Sequence, residues 1–186
     1  AGLSNVVAIA AGGDHNLALR PNGTVAAWGR NTHGQTTVPA GLSNVVAVAA
    51  GYEHSLALRA NGTVVAWGRN DSNQTNVPAG LSNVVAVAAG GDHNLALRAN
   101  GLITGWGRNI FGVTNTPAAL SNVVAVVTGH EHNLALRSNG TVYAWGKSNY
   151  GQAAVPGGLS NVMAVAAGGS NSLALRAVGT AVVWGY

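Results

Sequence analysis

The chain has 186 residues and a formal net charge of +4, from nine lysines and arginines against five aspartates and glutamates. It holds no cysteine, which excludes disulfides and thiolate metal sites, and no stretch is apolar for the roughly 20 residues that a membrane helix needs. Because only 8% of the residues are charged, the positive balance does not by itself indicate a nucleic-acid partner.

One 39-residue unit occurs five times in tandem, without insertion or deletion. Each copy opens on a leucine followed by Ser-Asn-Val-Val (Ser-Asn-Val-Met in the last), and its apolar part closes on a tryptophan. The leucines are Leu3, Leu42, Leu81, Leu120 and Leu159, and the tryptophans are Trp28, Trp67, Trp106, Trp145 and Trp184. Such a period predicts one supersecondary unit per copy. We expect a single domain over 1–186, with units 1–40, 41–79, 80–118, 119–157 and an incomplete 158–186.

The second copy shows the predicted elements in chain order. Val45–Ala50 is apolar throughout, which is typical of a strand buried on both faces. His54–Arg59 alternates bulky apolar with small or polar residues, as a second strand would. Asn61-Gly62 then predicts a tight hairpin into a third strand over 63–67.

A polar loop over 68–74 leads to a predicted short outer strand over 75–77. It ends at Pro78, which suits an edge strand because proline cannot donate to a ladder. The fold class is therefore an all-β propeller of five blades, each of four antiparallel strands, with the last blade missing its outer strand. A β-helix is the alternative. We expect the first and fifth blades to pack side to side and so close the ring. The chain is then expected to be a monomer, and an oligomer that completes a larger ring is the alternative.

The repeated pattern Val-Ala-x-Ala-Ala-Gly-x-x-His-x-Leu-Ala-Leu-Arg-x-Asn-Gly-x-Val-x-x-Trp-Gly-x-Asn-x-x-Gly-Gln resembles the RCC1 repeat. The unit length and the ending Gly34–Pro39 resemble the compact bacterial type, which includes the β-lactamase inhibitory proteins of type II. The resemblance implies a propeller, usually of seven blades, that binds proteins, and it suggests a secreted or cell-surface bacterial protein. Asn73, Val113 and Asn171 depart from the pattern.

Every charged residue except Asp71 falls at one of three repeat positions. Arginines end the second strand at Arg20, Arg59, Arg98, Arg137 and Arg176. Cations follow Trp-Gly at Arg30, Arg69, Arg108 and Lys147, and acids precede a histidine at Asp14, Glu53, Asp92 and Glu131. Because antiparallel strands alternate in direction, the turn after the first strand and the loop after the third share one face. The sequence predicts a face with an inner ring of acids and histidines and an outer ring of cations.

Two interpretations of the motif histidines remain open. These residues are His15, His54, His93 and His132. They could bond near the neighbouring blade as structural groups, or converge with the acids on a cation. We assign no metal and no cofactor. The tryptophans are expected in the core, with a sugar-stacking platform as the alternative.

Nothing in the sequence indicates catalysis, because the polar residues are copied alike into all blades. The positions that break the repeat are Tyr52, His33, Asp71, Ile110, Phe111, His130 and Tyr150, and several lie in the loops of the charged face. Since loops on a rigid scaffold are where binding residues collect, we expect a non-catalytic scaffold that binds a partner there, most simply a protein. The predicted binding residues are Asp14, His15, Tyr52, Glu53, His54, Asp92, His93, His130, Glu131, His132, Arg30, Arg69, Arg108 and Lys147.

Three other functions remain open. The chain could be a β-lactamase inhibitor, although its inner turns hold one aromatic residue, Tyr52, where an interface of that kind needs several. It could be a segment of a longer array, or an engineered or recently amplified propeller without a partner of its own. It could also bind a cation or a carbohydrate at the ring face. We expect neither a nucleic-acid nor a membrane partner.

Overall fold

A computed structural model describes residues 3–118 and 120–186. All regular structure in these residues is β strand. The strands are β1 (Ala8–Ala11), β2 (His15–Leu19), β3 (Val25–Gly29), β4 (Val45–Ala50), β5 (His54–Arg59), β6 (Val64–Gly68), β7 (Val84–Ala89), β8 (His93–Arg98), β9 (Ile103–Gly107), β10 (Val123–Thr128), β11 (His132–Arg137), β12 (Val142–Gly146), β13 (Val162–Ala167), β14 (Asn171–Arg176) and β15 (Ala181–Gly185). No helix among the described residues could cross a membrane.

The strands form five antiparallel sheets, each of three consecutive strands, and each sheet is one blade of the propeller. The blades follow the five sequence copies, so the predicted all-β propeller with five RCC1-like blades is confirmed. In the second blade, Val45 lies opposite Arg59 and Ala50 opposite Ser55, with a bulge between Val45 and Ala47. The bulge recurs at the same place in the next three blades, because the sequence period repeats without insertion.

The hairpin between the second and third strands forms at the predicted Asn-Gly pair. The glycine supplies the unusual backbone conformation, and the asparagine side chain accepts hydrogen bonds. Gly62 takes the left-handed conformation, with φ of 76°. Asn61 does not; its Oδ1 accepts hydrogen bonds from the backbone N–H and the hydroxyl of Thr63, at 3.1 and 2.7 Å. This turn fixes where the third strand begins.

The predicted outer strand over 75–77 is not a strand in the structure. The backbone N–H of Asn76 donates to Asn73 O and that of Val77 donates to Thr75 O, both at 3.1 Å. These donors are used in local turns, so they cannot form a ladder with the third strand. Each blade therefore has three strands, and Val77 packs against the core next to them.

The hydrophobic cores lie in the joints between consecutive blades. In the joint between the second and third blades, Leu56 and Leu58 pack against Ala96 and Trp106. Three further clusters repeat this arrangement at the other joints. The leucines at the repeat position of Leu56 are fully buried in the first four blades. A blade is thus stable through its neighbours rather than on its own.

The first and fifth blades do not pack on each other in this way. Strand contacts join each blade to the next from first to fifth, and among residues 3–118 and 120–186 no comparable contacts join β1–β3 to β13–β15. The side chains that fill the other joints are open to solvent here: Trp28 is 46% exposed and Leu173 is 36% exposed. The five blades surround a common central funnel, but the side-to-side closure expected from the sequence is not formed.

Candidate functional site

The acid-bearing turns and the cation-bearing loops meet at one end of every charged blade. The backbone N–H of Arg69 donates to the carbonyl of Glu53 at 2.9 Å, which ties the loop after the third strand to the turn after the first. The same bond recurs at Arg30, Arg108 and Lys147. We call this end of the propeller the loop face. The end with the Asn-Gly turns is the opposite face.

Ion pairs on the loop face run from blade to blade. Arg30 lies 3.3 Å from Asp14 of its own blade and 3.6 Å from Glu53 of the next. Arg69 lies 3.1 Å from Glu53 and 3.9 Å from Asp92. Glu53 is 6% exposed, so its carboxylate is held by two guanidinium groups rather than by water. The acids and the cations of the two predicted rings therefore form one network in the first three blades.

The network is interrupted between the third and fourth blades. Arg108 lies 3.6 Å from Asp92, and Lys147 lies 2.6 Å from Glu131 of its own blade. Ile110 and Phe111 project into the region between these two pairs and remain exposed. The Lys147 ammonium lies 4.9 Å from the centre of the Phe111 ring, a cation–π distance. Apolar side chains here replace the ion pair that joins the earlier blades.

The inner rim of the loop face carries an aromatic pair. Tyr52 and His130 lie edge to face, with ring centroids 5.9 Å apart and planes at 85°. Both side chains are exposed. At the same repeat position the neighbouring blades have glycine, and a Cβ on Gly91 would lie 2.7 Å from the carbonyl oxygen of His130. Small residues beside the pair therefore leave room for its rings.

The fifth blade has different chemistry at the same positions. Tyr186 stands where the other blades have a cation, and its backbone N–H donates to Ser170 O at 3.0 Å. Its ring lies 5.2 Å from that of Tyr150, centroid to centroid. The loop face thus carries a continuous ion-pair network over the first three blades and one separate pair, Glu131–Lys147, in the fourth. Exposed apolar and aromatic side chains collect between Ile110 and Tyr186. The pairing with Tyr186 was not predicted from the sequence, although the 39-residue step from the cations points to it.

The motif histidines lie behind the loop face, in the joints. Each is at most 2% exposed, and its Nε2 bonds to a Ser or Asn side chain of the next blade. The pairs are His15–Ser55 at 2.9 Å, His54–Asn94 at 2.7 Å, His93–Asn133 at 2.7 Å and His132–Ser172 at 2.9 Å. A side chain buried this way makes no contact with a partner, so we leave these four out of the proposed binding surface.

The hydrogen bonds fix the protonation of the joint histidines. Asn94 donates its amide to the carbonyl of Gln74 at 2.8 Å, so its Oδ1 faces His54 and accepts from Nε2–H. The indole of Trp106 donates to the same Gln74 carbonyl at 3.0 Å. Burial lowers the pKa of all four histidines, and that of His93 and of His132 to about 4. They are neutral connectors between blades at neutral pH.

The four motif histidines do not converge on one point. The Nε2 atoms of the motif histidines are engaged one by one in separate joints. In the part of the chain that the structure describes, no group of three His, Asp or Glu side chains is placed to hold an ion. The acids are engaged with the cations of the loop face instead.

Fold and site together define a repeat propeller with a constant interior and a varied loop face. The chain belongs to the RCC1 repeat family: the model of the regulator of chromosome condensation (RCC1) repeat matches four times, at residues 6–35, 45–74, 84–113 and 123–152. No curated protein sequence matches the chain.

Solved structures show the same fold. Human WBSCR16 is similar over 100% of this chain and 63% of its own, at 23% identity and a TM-score of 0.83. Prp20p from Saccharomyces cerevisiae is similar over 97% of this chain and 57% of its own, at 24% identity and a TM-score of 0.80. The ectodomain of the receptor kinase CR4 from Physcomitrella patens is similar over 97% and 50%, at 23% identity and a TM-score of 0.79. The chain thus spans less than two thirds of the length of these proteins.

Proposed function

We propose that this chain is a non-catalytic scaffold that binds a protein partner on its loop face. The observation that carries the proposal is the combination of paired charges with exposed apolar side chains at one end of a rigid array. Ile110, Phe111 and Tyr150 are exposed there, at positions where the repeat is broken. Protein interfaces take most of their binding energy from a few aromatic and arginine anchors inside a polar rim.

The properties of structural relatives support a protein partner. The solved structure of Prp20p from yeast was described together with its binding to Gsp1p and histones, and the yeast RCC1 protein Prp20 was solved bound to Kap60. Relatives of the same fold therefore bind proteins, and the RCC1 resemblance of this chain supports a binding rather than a catalytic role.

The charges of the loop face favour a protein over a nucleic acid. Binding of phosphates needs cations that are free to replace counterions. Here Arg30, Arg69, Arg108 and Lys147 each lie within 4 Å of a carboxylate. A surface of alternating sign fits a partner with its own mixed charges, which sets orientation and encounter rate more than affinity.

A matched pair of variants tests the face. Ile110 is 64% exposed on the loop face, and Val124 is 55% exposed near the opposite face. The unaltered chain is immobilised and used to retain binding proteins from an extract of its source cells. We expect Ile110→Ser to retain at least tenfold less of the bound protein than the unaltered chain does. Val124→Ser, the same chemical change, should leave this binding intact. Retained proteins would be quantified by mass spectrometry.

Two results would contradict the proposal. One is retention that Val124→Ser weakens and Ile110→Ser does not, which would place the contact on the opposite face. The other is retention that disappears when the extract is treated with nucleases, which would make nucleic acid the ligand.

A further inference from the structure

The opposite face has a different charge balance from the loop face. All five acids of the chain lie on the loop face, together with four of the nine cations, so that face has one negative charge in excess. The other five cations are the arginines at the end of the second strand of each blade, beside the hairpin turns. The opposite face therefore carries five positive charges and no acid. It is distinct from the loop face, so its role is independent of the proposed function.

The guanidinium groups of the opposite face are not paired within the chain. Every ion pair among residues 3–118 and 120–186 lies on the loop face. The Nε atoms of Arg59, Arg98 and Arg137 are buried and have no hydrogen-bond partner. A charged donor that loses water without gaining an acceptor costs free energy. An oxyanion that binds these guanidinium groups would supply the acceptors that the chain does not.

A cavity of about 270 Å³ lies beside Arg59 on the opposite face. Its other lining residues are Gly41, Ser43, Asn44, Ala60 and Asn61. The lining thus brings together a guanidinium, a hydroxyl and two side-chain amides, and it contains no carboxylate. The cavity is several times larger than the roughly 30 Å³ that one water molecule occupies in the liquid, so it has room for an ion with several oxygens.

Hydrogen bonds hold the cavity wall in place. Asn44 has a φ of 54°, in the left-handed region, and its carbonyl accepts from the backbone N–H of Ala60 at 2.9 Å. The Oδ1 of Asn61 accepts from the backbone N–H and the hydroxyl of Thr63. Because Oδ1 is engaged in this way, the Nδ2 amide of Asn61 is the group that can donate to a ligand. A site organised before binding loses less entropy when the ligand arrives.

The third blade repeats the same set of groups. Ser82, Asn83, Arg98 and Asn100 occupy the corresponding repeat positions. Asn83 has a φ of 55°, and the Oδ1 of Asn100 accepts from a backbone N–H at 3.1 Å. Two consecutive blades therefore present equivalent donors, each around one strand-end arginine.

We propose that the opposite face binds phosphate groups, one beside Arg59 and one beside Arg98. A guanidinium can donate to two oxygens of a phosphate in parallel, and a phosphate group has three strong acceptor oxygens. The third oxygen can then accept from the hydroxyl or the amides, whereas a carboxylate has only two oxygens to offer. A charge of about −1.5 to −2 on a phosphate monoester also suits a face that has no acid.

Nuclear magnetic resonance of the <sup>15</sup>N-labelled chain, titrated with inorganic phosphate, tests the two sites separately. The side-chain amide signals of Asn61 and Asn100 report on the second and third blades. Both should shift and reach saturation in the millimolar range of phosphate. Sodium chloride at the same ionic strength should not reproduce these shifts. The absence of saturable shifts, or equal shifts with chloride, would overturn the proposal.

A reciprocal pair of variants gives a matched control. Arg59→Gln should weaken phosphate binding at Asn61 roughly tenfold or more, because it removes a charged donor, and it should leave binding at Asn100 intact. Arg98→Gln should do the reverse. Both arginines are partly exposed, and the remaining signals of each spectrum show whether the fold is kept. If either variant weakens both sites alike, phosphate responds to the overall charge of the face, and the local sites do not exist.

A phosphoserine peptide and a single-stranded oligonucleotide distinguish the sources of the phosphate. Tighter binding of the peptide than of inorganic phosphate would indicate a phosphorylated protein, and equal binding would indicate free phosphate; either result supports the sites. Saturation by the oligonucleotide alone, with no response to inorganic phosphate or to the peptide, would contradict the proposal, because binding would then require a nucleic-acid polymer.

Discussion

The blade joints and the loop face are built from one repeat but keep it to different degrees. Every joint has the histidine bond to the next blade and the indole bond to a backbone carbonyl, with little variation in distance. On the loop face, the repeat position of Tyr52 is glycine in three blades and histidine in a fourth. This contrast shows which residues determine the fold. A joint residue packs against buried partners, so a different side chain there would disrupt the packing. A loop residue faces water, so its identity can differ between blades.

The largest expected effect is a loss of stability on acidification, through the joints. Burial lowers the pKa of His93 and of His132 from 6.5 to about 4. Between these values the unfolded chain binds more protons than the folded one, so the free energy of unfolding falls as pH falls through this window. At about 1.4 kcal/mol per pKa unit, the loss amounts to several kcal/mol. Urea unfolding at a series of pH values measures it.

The variant His93→Asn is the control for acidification, because the chain itself has Asn171 at this repeat position. Removing one titrating group should make the loss of stability between pH 6.5 and 4 clearly smaller than in the unaltered chain. An unchanged pH dependence would mean that the joint histidines are not its cause.

The second effect compares one repeat position in a packed joint and at an open side of a blade. Leu95 is fully buried between the third and fourth blades, whereas Leu173 is 36% exposed on the side of the fifth blade away from the fourth. Leu95→Ala should lower the free energy of unfolding by about 2–5 kcal/mol, because it leaves a cavity. Leu173→Ala should cost about 1 kcal/mol, since it removes less buried area. Denaturant midpoints at a concentration where the chain is monomeric measure both. Equal costs would show that Leu173 is as well buried in solution as Leu95.

The blades could be predicted from the sequence because their determinants are local. The strand pattern of 45–50, the hairpin at Gly62 and the step from each acid to its cation repeat within 39 residues, and the structure confirms the fold they define. Features set by contacts between distant residues could not be predicted in the same way. The burial of His54 and the exposure of Trp28 both depend on how a blade meets its neighbours. Ring closure depends on the angle between blades, to which the repeat pattern gives no clue.

A smaller effect also distinguishes a packed joint from the open side of the fifth blade, namely the space for an added methyl group at one glycine position of the repeat. A Cβ at Gly91 would lie 2.7 Å from the backbone oxygen of His130, whereas one at Gly169, the same repeat position, would meet nothing within 4 Å. Gly91→Ala should cost about 1–3 kcal/mol, because backbone cannot move aside without strain. Gly169→Ala should be close to neutral. Melting curves of the two variants measure both costs. A similar loss of stability in both would argue against an open joint between the first and fifth blades.

The smallest expected effect lies on the loop face itself. Arg69 contacts Glu53, Asp71 and Asp92, yet its side chain is 31% exposed, and pairs open to water contribute little. Arg69→Ala should cost about 1 kcal/mol or less, since Glu53 keeps Arg30 and His33 as neighbours. The cost should shrink further in high salt, where exposed charges are screened.

Arg108→Ala is the comparison for Arg69→Ala, because among the described residues Arg108 forms one ion pair, 3.6 Å from Asp92. It should cost less than Arg69→Ala, and both should leave the melting behaviour at high salt almost unchanged. A salt-independent loss of several kcal/mol at Arg69 would have a specific meaning. It would show that Glu53 belongs energetically to the joint between the first and second blades, and that the constant interior of the propeller reaches the surface at this point.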